Sequence, residues 1–298
     1  MPTFTGNSLA NVLRGSADAD FIFALEGDDE VRGGAGDDRV EAGDGNDRVL
    51  AGDGNDTLFG NAGMDNIYGD AGDDYINGGD DDDRLFGGDG NDYATGGQGN
   101  DRIYGGSGMD TLRGGTGDDI VYGGSDDDYL IGDDGDDVLI GEDGNDRLNG
   151  GSGQDHLVGG AGDDVLRAVA GNDLLDGGVG RDILFGGDGE DNFYFRDGDF
   201  SGTTLETADW IRAFSHVDED EIDLRLVDAD STTAGDQAFI FLGTGAFTGT
   251  PGELRYEFQD TLNSQNTMVY GDINGDGLAD FAIRLEGTVN LVADDFLL

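Results

Sequence analysis

The chain of 298 residues is long enough for one or two domains, but its composition is not that of an ordinary globular protein. It contains 58 glycines and 67 acidic residues against 15 basic ones, which gives a formal net charge of −52. Such acidity excludes nucleic acid as a direct partner, because that binding depends on Lys and Arg neutralising phosphate, and it excludes an anionic membrane surface for the same reason.

The absence of certain residue types and segments excludes further kinds of site and segment. There is no cysteine, so neither disulfides nor thiolate metal sites are expected. No run of 18 apolar residues occurs, so no membrane span is predicted. Residues 1–13 lack the basic flank and apolar core of a cleavable secretion signal, so no N-terminal signal peptide is predicted.

A nine-residue repeat begins at Gly6, after a short leader (1–5), and continues without insertion to Tyr194. Among its 21 copies the first and fourth positions are each Gly in 17, and the eighth is apolar in all. The sixth position is Asp in 20 copies, with Asn11 as the exception. A fixed period of this kind predicts a solenoid, which occupies 6–194.

The residue types within one copy predict the shape of the coil. Glycines near the start permit positive φ, so we expect the first six residues to form a turn. The last three residues, such as RVE or RIY, are expected to form a short strand whose middle side chain faces inward. Two strands per coil of 18 residues give an all-β solenoid of two facing parallel sheets, with adjacent coils about 4.8 Å apart.

Equivalent aspartates of successive coils, such as Asp38 and Asp56, are then expected to stack about one strand spacing apart. Two unit charges at about 4.8 Å repel by roughly 0.9 kcal/mol in bulk water. The 18 neighbouring pairs of aspartates would sum to roughly 16 kcal/mol, against the typical stability of a domain of about 5–15 kcal/mol. Carboxylates and turn carbonyls are hard oxygen ligands that favour calcium over zinc or copper, so we expect a swollen coil without cations and a rod with them.

The copies GGAGDDRVE, GGQGNDRIY and GGTGDDIVY resemble the unit G-G-x-G-x-D-x-U-x of the RTX (repeats-in-toxin) family, where U is large and aliphatic. The resemblance implies a right-handed parallel β-roll in which sixth-position aspartates and turn carbonyls bind several calcium ions, up to about 19. The ligand candidates that it implies are Asp20, Asp29, Asp38, Asp47, Asp56, Asp65, Asp74, Asp83, Asp92, Asp101, Asp110, Asp119, Asp128, Asp137, Asp146, Asp155, Asp164, Asp173, Asp182 and Asp191.

Five of the departures from the unit affect the expected sites and turns. Leu9, Leu25 and Val169 stand where small turn residues belong, so we expect weaker sites at their turns. Asp81 and Asp126 replace the fourth-position glycine, and we expect them to distort their own turns.

The period ends at Tyr194, and the region 195–298 reads as short strands separated by turns. This region resembles the C-terminal segment of serralysin-type proteases and of RTX epimerases and lipases, on residues 209–214, 220–224 with Asp228, and GDINGDGLADFAIRL. Its expected role is a β-rich cap that closes the open end of the roll.

Within the cap, Asp272, Asn274 and Asp276 have the acidic spacing of a calcium loop. An EF-hand would need Glu at the twelfth position, where this chain has Ile283. We interpret the segment as an Asx-rich turn, with a calcium site as the alternative.

The chain ends in two acids followed by three apolar residues, 294–298. This ending is similar to the uncleaved C-terminal signals of type I secretion substrates. Together with the repeat and the absence of an N-terminal signal, it predicts Gram-negative type I export, an extracellular location, and the type I secretion machinery as a partner.

No catalytic constellation is found. H-E-x-x-H and G-x-S-x-G do not occur, and the only histidines are His156, predicted to be a solvated strand residue, and His216, in a polar loop. Because only five residues precede the repeat, we expect no upstream enzyme domain and predict that the chain is not an enzyme.

The ninth positions predict two outward rows of side chains, one on each sheet. Either row is a ladder that stiffens its sheet or a docking strip for a partner, a second roll or a sugar chain. One row is mostly aromatic and the other mixed: Leu50, Tyr68, Phe86, Tyr104, Tyr122, Ile140 and Val158, against Glu41, Phe59, Asn77, Thr95, Arg113, Ile131 and Asn149.

The sequence therefore predicts a secreted, non-enzymatic calcium-binding β-roll that folds on binding many calcium ions after export. One alternative is a matrix or surface-layer protein in which calcium also bridges rods, giving self-association, or bridges them to acidic polysaccharide. Another is an accessory module of an epimerase or protease whose catalytic domain is absent.

Overall fold

A computed structural model describes residues 1–233, 235, 237–260 and 264–298. The chain divides into two compact units, Met1–Gly153 and Gln154–Leu298. Both units are built of β-strands, and the one helical element in these ranges is the 3₁₀ turn Ala293–Asp295. The described residues thus contain no helix of the length and hydropathy that a membrane span requires.

The first unit contains seventeen strands. In chain order they are β1 Thr3–Thr5, β2 Val12–Arg14, β3 Phe21–Glu26, β4 Glu30–Ala35, β5 Arg39–Asp44, β6 Arg48–Asp53, β7 Thr57–Ala62, β8 Asn66–Ala71, β9 Tyr75–Asp80, β10 Arg84–Asp89, β11 Tyr93–Gln98, β12 Arg102–Ser107, β13 Thr111–Thr116, β14 Ile120–Ser125, β15 Tyr129–Asp134, β16 Val138–Asp143 and β17 Arg147–Ser152.

Strands of the first unit pair with the next strand but one. The odd-numbered strands β1 to β17 form one parallel sheet and the even-numbered strands β2 to β16 form the other. Paired residues lie 18 positions apart, as in Val40 with Leu58 and Val49 with Ile67. This register confirms the predicted parallel β-solenoid with two sheets and 18 residues per coil.

The strands β3 to β17 are each six residues long, so the predicted division into six-residue turns and three-residue strands is wrong. In β5, for example, the strand includes the first three residues of the next copy, Ala42 to Asp44. Gly43 has a φ of 121° and still keeps register with the neighbouring strands. The glycines that suggested a turn are thus part of the parallel ladder, and the turn itself is only three residues long.

Two positions of each copy face the interior, where one was expected. From the second copy onward the eighth residue is buried, as Ile22, Leu58 and Ile103 show with no exposed surface. The first residue is buried as well, as Ala42 and Ala51 show. Each pair of sheets therefore encloses a thin column of aliphatic side chains lined by small residues.

Four of the atypical residues, Leu25, Val169, Asp81 and Asp126, adopt a positive φ. Leu25 has a φ of 87° and keeps register with Gly43, and Val169 has a φ of 93°. Asp81 and Asp126 have φ of 74° and 81°, compared with 138° at Gly45 in the same position of its copy. These aspartates lie in the left-handed helical region that Asp and Asn tolerate, so each turn is altered but remains a turn.

The second unit continues the alternation and then adds an antiparallel part. The parallel sheets here are β18-β20-β22-β24-β29 and β19-β21-β23-β28, and β28, β27 and β26 are antiparallel neighbours, with β25 parallel to β26. The strands are β18 His156–Ala161, β19 Val165–Ala170, β20 Leu174–Val179, β21 Ile183–Asp188, β22 Asn192–Arg196, β23 Asp209–Arg212, β24 Glu221–Leu226, β25 Ile240–Phe241, β26 Glu253–Asp260, β27 Gln265–Asp272, β28 Phe281–Glu286 and β29 Phe296–Leu297.

The predicted aromatic row is present on the outer face of the even-numbered sheet of the first unit. Ring centroids are 4.6 Å apart for Tyr68 and Phe86, 4.9 Å for Phe86 and Tyr104, and 5.0 Å for Tyr104 and Tyr122. The planes differ by 1–3°, so the rings form a continuous stack. The opposite row is in register too, with Phe59 beside Asn77.

Candidate metal centre

The sixth-position aspartates come directly before the strands, at the inner end of each turn. All twenty are buried, with at most 3% of their surface exposed. Buried carboxylates need a partner for each oxygen, because an unpaired buried charge is costly. The two oxygens of these carboxylates have different environments.

At most of these aspartates one carboxylate oxygen accepts a hydrogen bond from the preceding coil. The backbone N–H of Asp56 donates to Oδ1 of Asp74 at 2.7 Å, and the N–H of Asp74 donates to Oδ1 of Asp92 at 2.8 Å. The same bond recurs at 18-residue intervals in both units, with distances of 2.6–3.1 Å. Each carboxylate that makes this bond satisfies a backbone donor of the preceding coil, a role that the spacing of the repeat did not reveal.

At fourteen of these aspartates the other oxygen, Oδ2, is buried and has no hydrogen-bond partner within the described part of the chain. At Asp20, Oδ2 accepts the N–H of Ser16 and Oδ1 is the oxygen without a partner. An unpaired anionic oxygen that repeats along a sheet is an atom that fits a cation ligand. It occurs at Asp29, Asp38, Asp47, Asp56, Asp65, Asp74, Asp83, Asp92, Asp101, Asp110, Asp119, Asp128, Asp182 and Asp191.

The unpaired oxygen lies beside a backbone carbonyl of the next coil, over the first-position glycine. A Cβ at Gly87 would collide with Oδ2 of Asp92 and would lie 2.6 Å from the carbonyl oxygen of Gly105. The same arrangement occurs at Gly105, with Asp110 and the carbonyl of Gly123. This space is lined by one carboxylate and one carbonyl oxygen, which is the donor set that calcium prefers.

Burial raises the pKa of these carboxyl groups. The pKa of Asp92 is raised from 3.8 to about 6, that of Asp65 to about 7, and that of Asp83 to about 8. A backbone N–H from the preceding coil lowers each pKa, and neighbouring aspartates raise it, but desolvation dominates. The ionised ladder is therefore unfavourable until a cation compensates it.

No three Asp, Glu or His side chains converge at one point within the described ranges. We call the space between a sixth-position carboxylate and the carbonyl of the next coil a cradle. A cation in a cradle would be held by a single carboxylate from each participating copy together with backbone carbonyls. The residues that fit it are the sixth-position aspartate and the first-position carbonyl two copies later, exemplified by Asp92 and Gly105.

The carboxylate ladder extends beyond the last nonapeptide. The N–H of Asp182 donates to Oδ1 of Asp209 at 2.9 Å, and the N–H of Asp191 donates to Oδ1 of Asp220 at 3.1 Å. Oδ2 of Asp209 is buried without a partner, whereas Oδ2 of Asp220 accepts the N–H of Ser215. Sequence reasoning missed both ligand candidates, although Asp209 begins β23 and Asp220 directly precedes β24, much as in the repeat.

A second ladder runs along the fifth positions on the outside of the turns. Oδ1 of Asp28 accepts the N–H of Asn46 at 3.0 Å, and Oδ1 of Asn46 accepts the N–H of Met64 at 2.8 Å. Here the side chain bonds the following coil, opposite in direction to the sixth-position ladder. These exposed side chains accept hydrogen bonds from backbone N–H groups. The frequency of Asp and Asn at the fifth position is the feature of the sequence that could have predicted this ladder.

The loop of Asp272, Asn274 and Asp276 is closed by its own hydrogen bonds. The two carboxylate oxygens of Asp272 accept the N–H groups of Gly275 and Gly277 at 2.7 and 2.8 Å. Asn274 and Asp276 each accept the N–H two residues further on. This geometry is that of an Asx-rich turn, and the alternative calcium site stays a prediction.

The two histidines lie in different surroundings. His156 faces outward but is half-buried, so the prediction of a solvated residue is wrong; burial lowers its pKa, while the carboxylate of Asp176 raises it. His216 contacts Asp295 in the C-terminal turn, with Nδ1 and Oδ1 2.7 Å apart.

Comparison with known proteins identifies the family of the repeat. A family model described as "RTX calcium-binding nonapeptide repeat (4 copies)" matches residues 5–40, 24–58, 33–67, 41–76, 59–94, 77–112, 95–130, 104–139, 131–166 and 167–199. Among curated proteins none matches the chain.

Among solved structures the chain is similar to the AlgE6R3 subunit of the mannuronan C5-epimerase from Azotobacter vinelandii. The two are 23% identical over 62% of this chain and 80% of that one, with a TM-score of 0.26. Because the family model covers well over half of the residues and the carboxylate ladder follows the same period, this chain belongs to the RTX calcium-binding nonapeptide repeat family.

Proposed function

We propose that the protein is a secreted, non-enzymatic module that folds when calcium ions occupy the cradles between its coils. The observation that carries the proposal is the buried Oδ2 of fourteen sixth-position aspartates, which has no partner among the described residues and, as at Asp92, lies beside a backbone carbonyl. A calcium ion supplies the positive charge that this pair of oxygens needs. The number of ions would follow the number of intact cradles, up to about 19.

Calcium binding and folding would be coupled. Each cradle takes oxygens from copies 18 residues apart, so it exists only when two coils are stacked. A site that is absent in the unfolded chain makes binding energy into folding energy. The expected affinity is that of extracellular modules, roughly 10⁻⁴–10⁻³ M, with cooperative loading along the coils.

This coupling suits export. In low calcium the chain would remain expanded and able to pass through a type I exporter, and in the higher calcium outside the cell it would fold. The C-terminal residues 294–298 would serve as the export signal, as their acidic and apolar pattern predicts. In the folded protein this end is docked, since Phe296 pairs with Ile222.

A binding experiment and an export experiment test the proposal. Calorimetric titration should show calcium binding, and crystallography with anomalous scattering should then locate the ions beside Oδ2 of the sixth-position aspartates. In cells that carry a type I exporter, the full chain should reach the medium and a chain lacking 294–298 should not. Ions located elsewhere would refute the site, and equal export of both chains would refute the signal.

A further inference from the structure

Arginines and aromatic rings alternate on the outer face of one sheet of the second unit. The guanidinium of Arg167 lies 4.7 Å from the ring centre of Phe185, and that of Arg212 lies 4.9 Å from the same ring. Arg212 is also 4.5 Å from the ring of Trp210, the only tryptophan of the chain, and Arg284 is 3.9 Å from it. Two guanidinium groups therefore lie over one indole.

Arg181 joins Arg212 and Arg284 through the backbone, which gives a group of three arginines near Trp210. Nη1 of Arg181 donates to the carbonyl of Glu206 at 3.2 Å, and Nη1 of Arg284 donates to the adjacent carbonyl of Leu205 at 3.3 Å. Nε of Arg284 donates to Oδ1 of Asn266 at 2.9 Å. Neighbouring carbonyls thus hold the two guanidinium groups close together.

The positive charge of these arginines is only partly balanced by the acidic side chains that they contact. Arg212 makes two 3.0 Å bonds to Glu286, but the side chains of Arg181 and Arg284 donate to uncharged oxygens in the described contacts. Burial lowers the pKa of Arg284; Glu286 raises it, and Arg212 and Arg181 lower it further. In a chain with 67 acidic residues, two adjacent arginines held by neutral oxygens leave positive charge for another group.

We propose that Arg181 and Arg284, beside Trp210, form a binding site for an oxyanion, a carboxylate or sulfate group of a ligand. The described contacts leave the N–H groups of Nη2 free on both side chains, and a guanidinium fork matches the two oxygens of such a group. One bound anion would also relieve the repulsion among the three arginines. Recognition would be by charge, because guanidinium groups already cover the indole.

Trp210 gives a direct readout, since any change in tryptophan fluorescence reports on this cluster alone. The calcium-loaded full chain is titrated with sodium sulfate and, separately, with sodium glucuronate, each against sodium chloride at equal ionic strength. We expect a saturable fluorescence change with at least one oxyanion and none with chloride. A response to sulfate alone identifies a tetrahedral oxyanion as the preferred group, and a response to glucuronate identifies a carboxylate.

A matched pair of variants separates the site from general charge effects. Arg181→Gln should weaken oxyanion binding at least tenfold, whereas Arg84→Gln, which removes an exposed charge in the first unit, should leave it unchanged. Far-UV circular dichroism in calcium checks folding. If Arg181→Gln alters the spectrum, Arg181→Lys, which keeps the charge but loses the fork, should show the same tenfold loss. Lack of a saturable response, or equal weakening by Arg84→Gln, would overturn the proposal.

Discussion

Replacing Asp92 by Asn separates the two tasks of a ladder carboxylate. Oδ1 of Asp92 accepts the N–H of Asp74 at 2.8 Å, and Oδ2 lies buried and unpaired near the carbonyl of Gly105. Asparagine keeps the Oδ1 acceptor, removes the charge, and places an N–H donor where the second oxygen was. The backbone bond between coils is thus preserved, and only the cation ligand is lost.

The size of the effect follows from the pKa of Asp92, which burial raises from 3.8 to about 6. At about 1.36 kcal/mol per pKa unit, the ionised group costs the folded state about 3 kcal/mol at pH 7.5 when no cation is bound. Asp92→Asn should therefore stabilise the calcium-free fold by up to about 3 kcal/mol. In saturating calcium the same change removes a charged ligand and should destabilise the fold.

The assay is circular dichroism under two conditions. In excess chelator, folding is driven by an osmolyte, and Asp92→Asn should fold at a lower osmolyte concentration than the parent. In saturating calcium, its urea midpoint should fall. Asp82→Asn is the matched control, because Asp82 is exposed and its Oδ1 only accepts the N–H of Asn100 at 2.8 Å. Destabilisation by Asp92→Asn in chelator, or an equal loss from Asp82→Asn in calcium, would refute the reasoning.

Other changes test the same account. Burial raises the pKa of Asp65 to about 7 and of Asp83 to about 8. In chelator the fold should therefore be most stable below the ordinary carboxyl pKa of 3.8 and lose stability as the pH rises through 7 to 8. A β-sheet circular dichroism signal that does not increase on acidification would contradict this. Val169→Gly should stabilise the calcium-loaded protein by about 1 kcal/mol in urea unfolding, because valine at a φ of 93° is strained. Gly97→Ala should destabilise it by at least about 1 kcal/mol, because a Cβ there would collide with the carbonyl of Gly79 at a φ of 119°; an unchanged urea midpoint would exclude that conformation.

The sequence predicted the register of the coils because the nine-residue period runs without insertion. An 18-residue coil places Val40 beside Leu58 and stacks Tyr104 on Tyr122, and both are observed. This register depends on spacing alone. That the sixth-position aspartates are metal ligands, as the resemblance to the repeat unit implies, stays a prediction.

Features that depend on backbone geometry were not predictable from spacing. Glycine at the second position suggested a turn, but Gly43 belongs to the ladder despite its positive φ. The ladder partners Asp209 and Asp220 lie 27 and 29 residues after Asp182 and Asp191 instead of 18, so the period does not reach them. The bond from each Asp N–H to the next Oδ1 likewise requires knowledge of side-chain direction.

The most direct test of the central claim is small-angle X-ray scattering of the full chain at neutral pH in excess chelator, in calcium and in equal magnesium. Without calcium the repelling carboxylates should leave an expanded chain, with a radius of gyration of roughly 60 Å for 298 residues. Calcium should compact it cooperatively, and magnesium should not, since Mg²⁺ requires a more regular octahedral shell. A compact chain in excess chelator, with the dimensions seen in calcium, would contradict the account.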